Sequence, residues 1–169
     1  MEVLAPAGNW QALTAAVLAG ADAVYLSGRG HGARRLAGNF TKEELPAAVR
    51  YAHEHRCKVY VAVNTLQKEG ELEASLRHVE ELQMMGADAV IVQDRGLLRA
   101  IGEELSIPVH ASTQMGIHSL DGVRWAQEHG VQRVILSREL SLDEISALAK
   151  DSGTELEVFV HGALCYCFS

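Results

Sequence analysis

The residues richest in chemistry lie at the carboxyl end, where Glu157-Val158-Phe159-Val160 runs into His161-Gly162-Ala163-Leu164 and then into Cys165 and Cys167. An imidazole and two thiols delivered by an apolar strand can ligate iron–sulfur or zinc, or stand as free thiols on the rim of a site; two or three ligands alone do not close a metal centre. A second concentration is His110-Ala111-Ser112-Thr113-Gln114. Strand alternation predicts His110, Ser112 and Gln114 on one face and Thr113 on the other. No Gly-x-Ser-x-Gly elbow surrounds Ser112, so hydrogen bonding to a polar substrate suits this run better than acyl transfer. The third is Ser27-Gly28-Arg29-Gly30-His31-Gly32-Ala33-Arg34-Arg35, the basic cluster of an acidic chain. Its glycines let backbone approach a ligand, and Arg34 and Arg35 can grip carboxylate or phosphate through paired hydrogen bonds. A solvated loop is the equal alternative, and the absence of Gly-Lys-Ser/Thr excludes a P-loop.

The elements that must position these groups announce themselves through an internal repeat. Gly20-Ala21-Asp22-Ala23-Val24-Tyr25-Leu26 returns as Gly86-Ala87-Asp88-Ala89-Val90-Ile91-Val92, and more loosely as Gly130-Val131-Gln132-Arg133-Val134-Ile135-Leu136. Each copy reads as a helix closed by a left-handed glycine and followed by a buried strand. The same grammar predicts strands over Val3–Ala5, Ala23–Ser27, Lys58–Asn64, Ala89–Gln93, Val109–Ser112, Arg133–Ser137 and Leu156–His161. It predicts helices over Trp10–Leu18, Lys42–His53, Leu72–Met85, Leu97–Leu105, Leu120–Glu128 and Leu142–Lys150. Asn9, Thr41, Ser119 and Ser141 are capping residues, and Thr41 with Glu44 and Ser141 with Glu144 form capping boxes.

Strand–helix alternation of this kind implies parallel strands joined by right-handed crossovers. We expect a (β/α)8 TIM-barrel-like domain spanning residues 1–169, incomplete at about seven strands, with an open parallel α/β sheet as the alternative. An unpaired barrel edge could be covered by other chains, including further copies of this one. In such a barrel the polar residues just past each strand share one mouth. These include Asn64, Asp94, Ser112, Gln114, Arg138, Glu139 and His161. Asn64 and Asp94 also suit simple helix capping, and Glu139 suits a surface pair with Arg138.

Composition narrows the classes. The 169 residues carry 15 Lys and Arg against 22 Asp and Glu, a formal charge of −7, which argues against a protein that coats polyanions. No apolar run reaches the roughly 18 residues of a membrane span and no leader is visible, so we expect a cytoplasmic protein. Three cysteines, two of them one residue apart, do not suggest a disulfide framework; Cys57 reads as an inert thiol. His53, His55, His78 and His129 read as solvated groups on helices, and no His-Glu-x-x-His occurs.

Glu157-x-Phe159-x-x-Gly162-Ala163-Leu164-Cys165 resembles the first half of the signature of the peptidase U32 family, the collagenase-like proteases. Leu4-Ala5-Pro6-Ala7-Gly8-Asn9, Asn39-Phe40-Thr41, Val63-Asn64-Thr65 and Ser112-Thr113-Gln114 extend the resemblance across the chain. The signature continues with a glycine and a second cysteine, so the chain resembles an amino-terminal fragment. The resemblance implies a barrel-like catalytic domain and two competing activities. One is a collagen-degrading peptidase of unassigned catalytic type. The other is oxygen-independent hydroxylation of an RNA base or of a quinone precursor, with prephenate as oxygen donor and a four-iron four-sulfur cluster. Cys165 matches the first cluster ligand, and Cys167 falls where the signature is open. Without a recognisable protease nucleophile, the hydroxylase reading is preferred. It gives Arg34, Arg35 and Arg138 to carboxylate binding, with Ser112 and Asp94 also contacting substrate. His161, Glu139, His110, Gln114 and Asn64 stand as catalytic candidates. RNA, a small molecule or a peptide would be the partner of the parent protein; a third reading of the chain is an inactive fragment or binding domain.

Overall fold

The computed structural model of the protein describes residues 1–28 and 39–162. Seven parallel strands are hydrogen-bonded in sequence order: β1 Leu4–Pro6, β2 Ala23–Leu26, β3 Lys58–Val63, β4 Ala89–Val92, β5 Val109–Ala111, β6 Arg133–Ile135 and β7 Glu155–Glu157. Between them lie α1 Trp10–Leu18, α2 Leu45–Glu54, α3 Leu72–Met84, α4 Arg95–Glu104, α5 Leu120–Glu128 and α6 Leu142–Asp151. The sheet curls far enough for Glu2, just before β1, to reach Arg133 on β6 at 2.7 Å. This is an incomplete TIM-barrel-like fold, not an open flat sheet.

Four helices end in the same way, which explains the repeat. The amides of Gly20, Arg56, Gly86 and Gly130 donate to the carbonyls of Val17, His53, Gln83 and Gln127, while the next residue in each case donates to Ala16, Ala52, Leu82 and Ala126. This is the Schellman closure, and its pivot residue must be left-handed. The glycines sit at φ of 86°, 86° and 82°, and Arg56 holds the same position at φ 60° despite its side chain. The repeated acidic or amide residue then stitches the next strand to its neighbour. Asp22 Oδ2 accepts from the Val3 amide, Asp88 Oδ2 from Val59 and Gln132 Oε1 from Val109.

The predicted caps form. Asn9, Ser119 and Ser141 accept from Ala12, Gly122 and Glu144 amides, and Ser141 with Glu144 completes a capping box. Thr41 and Glu44 make the reciprocal pair one turn ahead of the helix proper, so α2 begins at Leu45 and not at Lys42. Pro46 follows directly, fitting the first turn because no intrahelical acceptor is needed there.

Two layers of apolar packing result. Val24, Leu26, Val59, Val61, Val90, Val92, Val134 and Leu136 point outward against the helices in the main core. The inward face is thinner, built from Ala23, Tyr60, Ala89, Ile91 and Ile135 with Leu4 and Tyr25. Every predicted strand after β1 ends one or more residues earlier than expected, and two of these ends matter for the site. β5 stops at Ala111, because Ser112 caps a 3-10 turn over Thr113–Met115, and β7 ends at Glu157, leaving Val158, Phe159 and Val160 exposed.

Candidate functional site at the barrel mouth

The carboxyl ends of the strands present a mostly neutral polar rim. Ser27, Ser112 and Ser137 are buried behind it. Ser27 Oγ donates to the Ala62 carbonyl across the β2–β3 step, and Asn64 Nδ2 lies 3.5 Å from Ser112 Oγ across two strands. Ser112 Oγ also accepts from the Gln114 amide at 3.2 Å, as the cap of the 3-10 turn. The structure therefore brings Asn64, Ser112 and the Gln114 backbone together at the ends of β3 and β5.

It does not make His110, Ser112 and Gln114 one inward face. The 3-10 turn breaks strand alternation, so Gln114 is exposed on the rim, whereas His110 lies a layer deeper, in register with Ile91 and Arg133. His110 is 5% exposed and meets the Tyr60 ring edge-on at 4.6 Å. Burial, reinforced by Arg133, pulls its imidazole down to about 4, so it is neutral at physiological pH. Among the described residues its Nδ1 has no hydrogen-bond partner.

Asp94 is spent on structure: Oδ1 accepts from the Leu97 amide as the cap of α4, and Oδ2 accepts from the Gln67 amide of the neighbouring loop. Arg138 is half-buried, with its guanidinium 4.3 Å from the Phe159 ring centroid, a cation–π contact that ties the β6 loop to the segment after β7. Glu139 and His161 are exposed near the ends of β6 and β7. Arg34, Arg35, Cys165 and Cys167 lie outside the described residues. Among the described residues no group of three or more His, Cys, Asp and Glu could hold a metal ion. Cys57 is buried at the opposite end of the barrel, and burial pushes its thiol up, as expected of an inert cysteine. His78 departs from its sequence reading: it is half-buried, its ring beside Gly28.

The charged centre of the molecule is at the other end, and sequence reasoning missed it. Arg133 reaches Glu2 at 2.7 Å, Glu155 at 2.7 Å and Glu157 at 3.4 Å, while its guanidinium lies 5.2 Å from the Tyr60 ring centroid. Glu2 also accepts from Lys58 Nζ at 2.8 Å and from Tyr60 Oη at 2.7 Å. Burial alone would raise Glu2, but these three donors outweigh it and bring the carboxyl down to about 2. For Glu157 the balance reverses: burial pushes the carboxyl up, more than Arg133 pulls it down. The available signal was the alternation Glu155-Leu156-Glu157, which places two carboxylates on the inward face of a strand that also packs a core leucine.

Between the loops after β3, β4 and β5 the mouth opens into a cavity of about 330 Å³, lined by Leu66, Gln93, Asp94, Arg95, Gly96, Gln114 and Met115. This is the small end of ligand-sized pockets, which run from about 300 Å³ upward. Its location at the carboxyl face is where barrels of this class place ligands.

Comparison with known proteins gives the lineage. The chain is 40% identical over 172 residues to the 23S rRNA 5-hydroxycytidine C2501 synthase of Escherichia coli strain K12, a match covering 100% of this chain and 25% of that protein. It is 37% identical over 170 residues to tRNA hydroxylation protein P of the same strain, covering 99% of this chain and 38% of that protein. The chain thus spans between a quarter and two-fifths of the length of these curated relatives. The solved structure of the U32 peptidase Mk0906 shares the fold, with a TM-score of 0.78 at 18% identity over 94% of this chain and 68% of that one. The model for "Peptidase family U32" matches residues 8–169, and the chain belongs to that family.

Proposed function

We propose that the parent protein of this chain hydroxylates a base of ribosomal or transfer RNA independently of oxygen gas, and that these residues form the barrel wall whose mouth receives the substrate. The observation that carries the reading is the identity of 40% and 37% to two RNA-hydroxylating proteins, running over essentially the whole chain. The mouth agrees with it chemically. Its amides and hydroxyls suit the neutral edges of a base, and Arg138 at the end of β6 is a cation for the carboxylates of a donor such as prephenate; Arg34 and Arg35, outside the described residues, keep that role only as part of the proposal. In this reading the protein acts in the cytoplasm; among the described residues no helix is long and apolar enough to cross a membrane.

A four-iron four-sulfur cluster belongs to the proposal through Cys165, with Cys167 beside it. The described residues do not by themselves furnish such a site. When bound, a cluster would supply one-electron chemistry. The peptidase alternative finds less support. Ser112 Oγ is engaged by Asn64 and by the Gln114 amide, and His110 faces Tyr60 a layer below, so this pair is not a nucleophile with its base.

The test is a deletion of the parent gene followed by mass spectrometry of ribosomal and transfer RNA. The expected result is loss of one hydroxylated base and its return on complementation, with iron and sulfide in the anaerobically purified full-length protein. Unchanged RNA, together with an iron-free protein that cleaves collagen peptides, would overturn the reading.

A further inference from the structure

We infer that the cavity between the β3, β4 and β5 loops is a nucleobase slot for an RNA strand, holding a base that flanks the modified one, and that Arg95 grips the adjoining phosphate. The inference rests on the RNA reading of the mouth.

The slot's chemistry selects its occupant. Leu66 is 70% exposed at one wall, a large apolar side chain in water without evident structural work, and Met115 faces the same space. Two such groups give the lining an apolar component for the face of a flat ring. Gln93 and Gln114 supply the edges. Gln93 Nε2 makes only a long 3.4 Å contact to the Gln114 carbonyl, and among the described residues the Gln114 side-chain amide has no hydrogen-bond partner. A primary amide offers a donor and an acceptor side by side, matching the hydrogen-bonding edge of a base. Asp94, the lining carboxylate, has each oxygen engaged by a backbone amide, Oδ1 by Leu97 and Oδ2 by Gln67. An occupant with apolar faces and a polar edge fits this lining.

Arg95 adds the independent observation. It lines the cavity and is exposed, and among the described residues no carboxylate pairs with it, although acids outnumber bases in the chain by 22 to 15. Its guanidinium is held 4.9 Å from the Trp125 ring centroid, and Trp125 is itself stacked with His129 at 4.2 Å. An arginine fixed by an aromatic ring, with its donors uncommitted, is preorganised for phosphate. A cation at the lip of a base-sized slot is the arrangement single-stranded RNA requires.

Position decides which base. The slot lies at β4 and β5, whereas His161 follows β7, two to three strands away. At about 4.8 Å per strand that is roughly 10–14 Å, farther than one base extends. The slot therefore reads a neighbour of the reacting base, and its loss weakens substrate binding more than it slows chemistry.

The experiment uses the full-length protein, with Leu66→Trp to fill the slot and Arg95→Ala to remove the cation. Both residues are exposed, so folding is kept. Binding of cytidine and uridine 5′-monophosphates is measured by calorimetry, and hydroxylation kinetics are measured on RNA from the deletion strain. Leu66→Trp is expected to weaken monophosphate binding and raise KM about tenfold with kcat within about twofold, the scale of one lost base contact. Arg95→Ala should reduce the salt slope of RNA binding by about one. If hydroxylation proceeds and neither variant changes KM, monophosphate affinity or salt slope, the slot is wrong and the proposed function stands. If RNA is not hydroxylated but Leu66→Trp still abolishes monophosphate binding, the proposed function falls and the slot stands.

Discussion

The two ends of this barrel handle polarity in opposite ways. At the amino-terminal floor, full charges are packed close and paired: Arg133, Lys58 and Tyr60 converge on Glu2, and Glu155 and Glu157 close on Arg133 from β7. At the carboxyl-terminal mouth neutral amides and hydroxyls prevail beside a few separate charges such as Asp94, Arg95 and Arg138, and some contacts are long, as between Gln93 and the Gln114 carbonyl at 3.4 Å. A saturated ionic cluster holds a shape, because breaking any member strands the others in a low dielectric. A rim built mostly of neutral hydrogen-bonding groups can exchange partners with a ligand at little electrostatic cost. The floor does a further job here, since Arg133 joins the residue before β1 to β7 and holds the curl of a sheet whose seven described strands do not close on themselves. In barrels of this kind the bottom face serves stability and the top face serves chemistry.

The sharpest way to break that contrast is at Arg133. Arg133→Met should destabilise the protein by about 3 kcal/mol, because Glu2 and Glu157 lose their shared cation while still largely buried; Glu155, mostly exposed, adds little. Urea denaturation of the parent protein checks this, and a loss below about 1 kcal/mol would mean the floor is ornamental.

Acid should unfold the floor before it affects the mouth, in two stages. His110 is neutral in the fold down to about 4 while the unfolded chain takes up its proton near 6.5, so stability falls as pH drops through that window. Glu2, lowered from 4.5 to about 2, contributes stability that is complete above 4.5 and is lost between 4.5 and 2. Glu157, raised above 4.5 by burial, works the other way: the fold takes up its proton before the unfolded chain does, so it offsets part of the first stage. His110→Phe should remove the first stage from a plot of Tm against pH; a profile that matches the parent between pH 6.5 and 4 would sink this assignment.

Substitution of Arg56 should give a smaller and opposite effect. Arg56→Gly relaxes the left-handed pivot that glycine fills in the other three helix closures, and should stabilise by about 1 kcal/mol in the same denaturation assay. At the mouth the order of effects inverts. Asn64→Ala should change stability by less than about 0.5 kcal/mol yet lower RNA hydroxylation at least tenfold, with thermal denaturation and mass spectrometry read side by side. Equal loss of fold and function there would erase the distinction between the two ends.

Much of the scaffold could be read from particular residues. Gly20, Gly86 and Gly130 marked helix ends, Asn9, Ser119 and Ser141 marked helix starts, and both signals are local because capping satisfies amides within three residues of the cap. The rim at the ends of β3 and β5 was legible for the same reason, since parallel strands in single file must end on one side. The floor was not. Glu2 and Arg133 are 131 positions apart, and nothing local in either residue names the other. His110 and Gln114 were separated by a single 3-10 turn that alternation does not foresee.

The sequence by itself determined the repeating strand–helix unit, the residues that open and close each helix, the family signature and the set of polar groups at strand ends. Each depends on hydrogen bonds and side-chain periodicity within a few residues. Only the tertiary structure decided how tightly the sheet curls, and hence which inward-facing side chains meet across it. That put Arg133 among three carboxylates, sank His110 below the rim, committed Asp94 to its loops and set Arg95 with Gln93 and Gln114 around one cavity at the mouth. Those pairings follow from the curvature of the whole sheet, a property that no stretch of the chain carries alone.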